Sequence, residues 1–317
     1  MLYITHRYHL LIKGKAWRPS QASAPPLAYP PAPAFTEANA PPGSQTGRVF
    51  VVTGGIAGVG LEPCRILYAS GATVYMASRS QTKAEAVIKS ITKASKSKVT
   101  SGKLKFLHLD LNDLLVVKAV AKRFSQQEDK LDVLWNNAGT GANMVTIGQR
   151  TVQDFEPMIG MHCIATLLFT KLLLPQLRAA DTSDESGKTR VAWTPSALVK
   201  AGSPPNGLDF DLLDKGTNRR TDNYGTSKAG TWILSREIAR RYAKNGIVSF
   251  LGDEICGAYT ELYAGFSSDI TLESSGSYII PWGRIRPNEA TPRQNLIKSG
   301  DPRRKGPRLW EQALGLV

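Results

Sequence analysis

No run of apolar residues in this chain approaches the roughly 18 to 20 that a membrane-spanning helix requires, so no helical span is expected. Cysteine is scarce. Cys64, Cys163 and Cys256 lie far apart without metal-ligand spacing, so they read as free thiols of a reducing compartment rather than a disulfide frame. The four histidines form no HExxH motif and no His/Cys cluster, so nothing points to a bound metal. Acidic residues are missing from the start of the chain, where Glu37 is the first. A basic, acid-poor start, MLYITHRYHLLIKGKAWR, matches either an irregular extension or a mitochondrial transit peptide. Its LLI is too short for the apolar region of a secretory signal.

At 317 residues the chain exceeds one average domain and falls short of two. With 42% hydrophobic and 21% charged residues it has the composition of a soluble globular protein. The net charge of +14 raises nucleic acid as a partner. The basic residues are scattered, however, and the local excesses at 93–105 and 284–308 lack interleaved aromatics. Solubility and attraction for an anionic ligand account for the charge better than a nucleic-acid groove.

Residues 1–45 are dense in Pro and Ala, without period, and read as an extended or disordered arm. From about residue 46 to 285 strands and helices alternate. RVFVVT, TVYMAS, KLKFLHLD, LDVLWN, RVAWT and GIVSFL are short apolar runs, with SGSYIIPWG a candidate seventh. Helical patterns lie between them at about 82–94, 113–124, 158–177 and 223–243. This order predicts parallel βαβ units in an α/β, Rossmann-type doubly wound sheet of three layers, α/β/α. Residues 286–317 form a basic C-terminal tail in this reading.

Three places carry chemistry. The first strand ends in Thr53, Gly54 and Gly55, followed by Gly58, Val59 and Gly60. Glycines there let the backbone approach a pyrophosphate, whose charge the next helix N-terminus attracts. Such turns are common, and their place between a strand and a helix makes this one informative. At the end of the second strand stand Ser78 and Arg79, with no acid to bind a ribose 2′-OH. Arg79 suits a 2′-phosphate, hence NADP(H), or is a solvated surface residue. Asp110 and Leu111 close the third strand, where Asp110 meets an adenine edge, caps the next helix, or does both. Tyr224 and Lys228, four apart in NYGTSKAG, share a helix face. An ammonium beside a phenol favours the phenolate and makes a usable acid/base pair. Tyr and Lys at this spacing also occur on ordinary solvated helices.

TGGIAGVG, then NNAG (Asn136, Asn137, Ala138, Gly139), then Ser196, then Tyr224 to Lys228 together resemble the short-chain dehydrogenase/reductase family over about residues 45–285. The wording around the motifs resembles fungal NADP-dependent reductases, many tied to secondary metabolism. The long segment before Tyr224 resembles retinol-dehydrogenase-like members. The resemblance implies an NADP-dependent cytoplasmic oxidoreductase acting on a small carbonyl or alcohol, possible as a homo-oligomer. It implies Tyr224 as general acid/base and Lys228 as ribose ligand. It also implies Ser196 as donor to the substrate oxygen, and Asn137, Ala138 and Gly139 at the cofactor. Two features depart from the family. His162 stands where an asparagine completes a tetrad, and is expected to titrate near neutrality as a partial substitute. After the sixth strand, LGDEIC replaces a Pro-Gly turn and a helical lid. The substrate site is therefore expected to be truncated, which leaves a non-catalytic NADP-binding protein as the rival reading.

Overall fold

The computed structural model describes residues 33, 35–94, 102–181, 187–194, 196, 199, 203, 204, 208, 210, 213, 215–252, 257–280, 284–286 and 302–315. The apolar runs become β1 (Val49–Thr53), β2 (Thr73–Ser78), β3 (Lys103–His108), β4 (Val133–Asn136), β5 (Thr189–Trp193) and β6 (Ile247–Gly252). Two short strands follow, β7 (Tyr278–Ile280) and β8 (Arg284–Arg286). The helices are α1 (Gly58–Ala69), α2 (Gln81–Ala94), α3 (Leu114–Ser125), α4 (Pro157–Leu172), α5 (Leu174–Ala180), α6 (Arg220–Tyr242), α7 (Gly257–Phe266) and α8 (Pro302–Gly315).

The eight strands form one sheet in the order β3-β2-β1-β4-β5-β6-β7-β8. The first seven run parallel and β8 is antiparallel to β7. Strands covered on both faces read as near-continuous apolar runs, and every residue of β1, β4, β5 and β6 is buried. One face carries α3, α4, α5, α6 and α8, whose side chains share a core with Val51, Leu134, Val191 and Trp193. The other carries α1, α2 and α7, packed with Phe50, Val52, Val133 and Phe250. This is the expected three-layer α/β/α architecture. The chain turns to opposite edges from β1 and β4, so the crevice where an α/β sheet binds ligands opens between their carboxyl ends.

Four details differ from the sequence-based reading. The single helix expected at 158–177 is two pieces, α4 and α5, bent by 54°. Pro175 lies in the first turn of α5, where it donates no hydrogen bond and ends the run before it. Within α4, Gly160–Ala165 is a π-helix. The seventh strand pairs with an unforeseen eighth through three residue pairs. The expected basic tail contributes α8, which buries Leu309, Trp310 and Ala313 against α6 and α4. Trp310 is ringed by Arg241 (4.6 Å) and Lys171 (5.4 Å), cations that stack on its indole. Finally, part of the stretch expected to be extended lies on the body. Phe35 meets Tyr263 edge-on at 5.6 Å, and Thr36 caps a short 3-10 helix, Glu37–Asn39. Residues 1–32 and 34 are outside the described residues. Most of the segment between Ser196 and Lys215 is outside them too.

Candidate active site

The glycine turn after β1 is built by close approach. Gly54 (φ 70°) and Gly58 (φ 58°) adopt left-handed backbone that other residues resist. A Cβ on Gly55 would lie 2.9 Å from the Cys64 sulfur, and one on Gly60 would collide with the Asn137 side-chain amide. Asn137 Nδ2 donates to the Thr53 carbonyl (2.9 Å), while Thr53 Oγ1 accepts from Ala138 N (2.9 Å). The segment Asn137–Ala138 therefore clamps the turn. Ala57, which precedes α1, provides no side-chain cap, so the N–H groups of the first turn of α1 face the crevice without one.

Gly139 links this clamp to the Tyr–Lys pair. A Cβ there would sit 3.0 Å from His162 Nε2 and 3.6 Å from Lys228 Nζ. Tyr224 and Lys228 are both buried on α6, with the ammonium 5.8 Å from the centre of the tyrosine ring. Lys228 Nζ donates to the Thr194 carbonyl at 2.9 Å, just past the end of β5. The His162 ring meets Tyr224 edge-on at 6.0 Å. The structure thus gathers Tyr224, Lys228, His162 and Gly139 at the carboxyl ends of β4 and β5. A phenol and an ammonium so placed can exchange a proton with a bound group.

His162 departs from the expected neutral-range titration. Its Nε2 receives the Thr140 N–H (3.0 Å), so that nitrogen is bare and Nδ1 carries the hydrogen. Nδ1 then donates to Ser227 Oγ (2.9 Å), which in turn donates to the Tyr224 carbonyl (2.8 Å). Burial first, and the Lys228 charge second, hold the imidazole well below its usual range. It is a neutral strut between the Thr140 loop and α6. Because the unfolded chain protonates this histidine and the native one does not, its contribution to stability is present above about pH 6.5 and is lost on acidification. His162→Asn is expected to lower stability by about 1–3 kcal/mol, since the shorter side chain cannot keep both bonds. The pH profile of turnover should keep the same inflections. Thermal unfolding and pH–rate curves check this, and an inflection lost in the variant would restore a proton-transfer role to the imidazole.

The other sequence candidates lie along the same edge. Ser78 Oγ, ending β2, is buried and has no hydrogen-bond partner among the described residues, and Arg79 beside it is exposed. Asp110 does not cap the next helix. Its Oδ1 accepts from Asn112 N (2.9 Å) and Nδ2 (3.1 Å), while Asp113 caps α3 through Leu115 N. Leu111 is buried in the core. Ser196 is buried just beyond β5. Cys64 and Cys163 are buried free thiols, and Cys256 is outside the described residues.

Between β6 and α7 stand only residues 253–256, which are outside the described residues. α7 packs on α1 and the ends of β5 and β6, and places two unforeseen polar side chains there. Thr260 and Glu261 are almost fully buried. Glu261 Oε1 accepts from Thr194 Oγ1 (2.9 Å), and burial pushes its carboxyl up to about 7. The signal was available in the sequence, since Glu261 is the lone charge in the apolar helix GAYTELYAGF.

A sequence model described as short chain dehydrogenase matches residues 48–196. A short-chain dehydrogenase/reductase of Pestalotiopsis fici is 41% identical, over 89% of this chain and 94% of its own. One of Neocamarosporium betae is 36% identical over 82% of each. The alignment with the Pestalotiopsis protein has 310 positions but takes in 89% of 317 residues, about 282, so about 28 positions have no counterpart here. Among solved structures, an uncharacterised protein of Mycobacterium paratuberculosis superposes with a TM-score of 0.67 at 25% identity, over 89% of this chain and 97% of that one. L-sorbose reductase of Gluconobacter frateurii, in complex with NADPH and L-sorbose, shares the fold at a TM-score of 0.51 and 20% identity, over 66% of this chain and 70% of its own.

Proposed function

Because the chain belongs to the short-chain dehydrogenase/reductase family, and is by that membership an oxidoreductase acting on CH–OH or C=O groups, we propose that it moves a hydride between NADP(H) and a small ketone, aldehyde or the matching alcohol. The observation that carries the reading is the convergence of Tyr224, Lys228 and Gly139 beside the glycine turn.

The residues present fit a dinucleotide. At Gly58 a Cβ would meet nothing within 4 Å, the first turn of α1 has no side-chain cap, and the Ser78 hydroxyl has no partner among the described residues. Thr53 to Gly60 would hold the pyrophosphate, Ser78 and Arg79 the 2′-phosphate, Asp110 and Leu111 the adenine, and Asn137 to Gly139 with Lys228 the nicotinamide ribose. When bound, the cofactor supplies the hydride and with it both electrons. Tyr224 gives its phenolic proton to the oxygen that gains charge, and Ser196 donates a hydrogen bond to that oxygen. In the oxidative direction Tyr224 takes the proton back. Lys228 keeps positive charge at the phenol throughout, and His162 holds the loop and helix in register.

NADPH oxidation with a panel of small ketones and aldehydes tests the activity, and silence across the panel with intact protein would sink it. For the cofactor, Arg79→Ala is expected to weaken NADPH roughly tenfold or more while NADH changes little, since a guanidinium–phosphate pair is lost only from the former. Equal loss for both, read by fluorescence titration, would remove Arg79 from the 2′-phosphate.

A second reading has its own support. Four residues join β6 to α7, and about 28 aligned positions of a relative are missing from this chain. A site without a lid controls water poorly. Protein that shifts NADPH fluorescence but reduces nothing would be a cofactor-binding member without turnover.

A further inference from the structure

Glu261 has no place in the mechanism above, yet it lies against its centre. Thr194 connects them. Its carbonyl accepts from Lys228 Nζ, from the face of the sheet that carries α6. Its hydroxyl donates to Glu261 Oε1, from the face that carries α7. The two ionisable groups thus grip one residue at the end of β5 from opposite sides. The second carboxyl oxygen of Glu261 has no hydrogen-bond partner among the described residues, although the residue is only 1% exposed. A buried carboxyl with one bond and an orphaned oxygen lowers stability. Groups of this kind concentrate where chemistry needs them.

We propose that Glu261 is a positioning residue that, through Thr194, provides the counter-charge to Lys228 and so sets the ammonium's field at Tyr224. The proposal rests on the reading that Tyr224 carries the proton. With Glu261 ionised, the positive charge of Lys228 is partly offset. With Glu261 protonated, the phenol meets the ammonium at full strength. The carboxyl is thereby a second control on the pair.

Among the described residues, the other charges near α7 leave Lys228 as the ionic partner. On α1, Glu62 and Arg65 pair with each other at 3.8 Å, and Cys64 is a buried thiol. On β5, Arg190 binds the carbonyls at the far end of α7. Tyr259 in the first turn of α7 is hydrogen-bonded to Glu37, and Tyr263 to Asp269. β4, β6 and β7 contribute no charged residue.

The direction of the linkage follows from burial, which raises Glu261 from 4.5 to about 7 against the pull of Thr194 and Lys228. The native state therefore prefers the protonated carboxyl. Its contribution is full below about pH 4.5 and is lost as pH rises toward 7. His162 contributes the opposite slope, so differences between variants carry the signal.

The test is a cycle of wild type, Glu261→Gln, Lys228→Met and the double variant. Thermal midpoints are measured from pH 5 to 8.5, and pH–rate curves are measured with a carbonyl substrate. Relative to wild type, Glu261→Gln should gain stability progressively as pH rises to neutrality. Lys228→Met should carry the Glu261-dependent loss to higher pH, because the carboxyl then has no cation to ionise against. In turnover, Glu261→Gln should move the alkaline limb of carbonyl reduction about one unit lower, the size of a close buried charge. Should Lys228→Met fail to fold, Thr194→Val removes the hydroxyl that holds Glu261 while keeping the carbonyl that holds Lys228, and should shift the Glu261 limb to higher pH. Midpoint curves in which the Glu261 limb ignores Lys228 and Thr194 would overturn the proposal even with full turnover. Coupled midpoints without turnover in wild type would leave the proposed coupling of Glu261 and Lys228 standing and overturn the assignment of activity.

Discussion

Tyr224→Phe should lower turnover by roughly a thousandfold, the scale of a lost general acid, and leave NADPH affinity close to that of the wild type. The substitution removes one oxygen from a ring that keeps its packing. Tyr224 shares its small cluster with Val145 and Met158, apolar neighbours that hold a phenyl ring equally well. His162 meets the ring edge-on and not through the hydroxyl, so that contact survives. The bonds of His162 and Ser227 end on the Tyr224 backbone carbonyl, which the variant retains. Lys228 keeps its hold on the Thr194 carbonyl. A drop in kcat with unchanged cofactor binding, by stopped-flow and fluorescence titration, is therefore the signature of a proton carrier. Retained turnover would mean that the proton comes from elsewhere and would end the assignment.

Arg190→Met is expected to remove about 3 kcal/mol or more of stability, chiefly from lost charge-assisted bonds and carbonyls left dry. Arg190 is 4% exposed. Its guanidinium donates to the carbonyls of Gly187 (3.3 Å), Ala264 (3.0 Å), Ser267 (2.8 Å) and Ile270 (3.2 Å). The last carbonyls of a helix have no partner within it, so Arg190 closes the end of α7 onto β5. Burial pulls the guanidinium down to about 10, which leaves it charged at neutral pH. Methionine fills much of the space and satisfies none of the acceptors. For a chain of this size the midpoint should fall by roughly 6 °C or more. Arg190→Lys should not restore it, because one ammonium cannot match a planar fork. A fall of under about 2 °C would show that Arg190 is dispensable for α7. Since α7 also carries Glu261, loss of the clamp should disturb the site from behind.

Much of the fold was legible because its signals are local. Apolar runs separated by helical patterns announce buried parallel strands, and β1 to β6 form at those runs. The break in the long helix was legible in principle at Pro175, which cannot bond backward. The apolar composition of 158–177 concealed it. The eighth strand was hidden for another reason: Arg284–Arg286 is too short and too charged to read as a strand away from β7. The C-terminal helix was masked by its basic residues, whereas Leu309, Trp310 and Ala313 are the side chains that dock it.

The sequence by itself determined the class of fold, the family, the glycine turn and the Tyr224–Lys228 pair. Each rests on spacing along a strand or helix, where neighbours in sequence are neighbours in space. Tertiary structure alone decided what the polar residues do. His162 is neutral because it meets Ser227 from 65 residues away and is buried there. Asn137 clamps the glycine turn 84 residues before it, at Thr53. Glu261 reaches Thr194 across 67 residues, and its proton affinity follows from that burial. Charge state is set by desolvation and by whichever groups converge from distant segments, and a sequence read one window at a time contains neither.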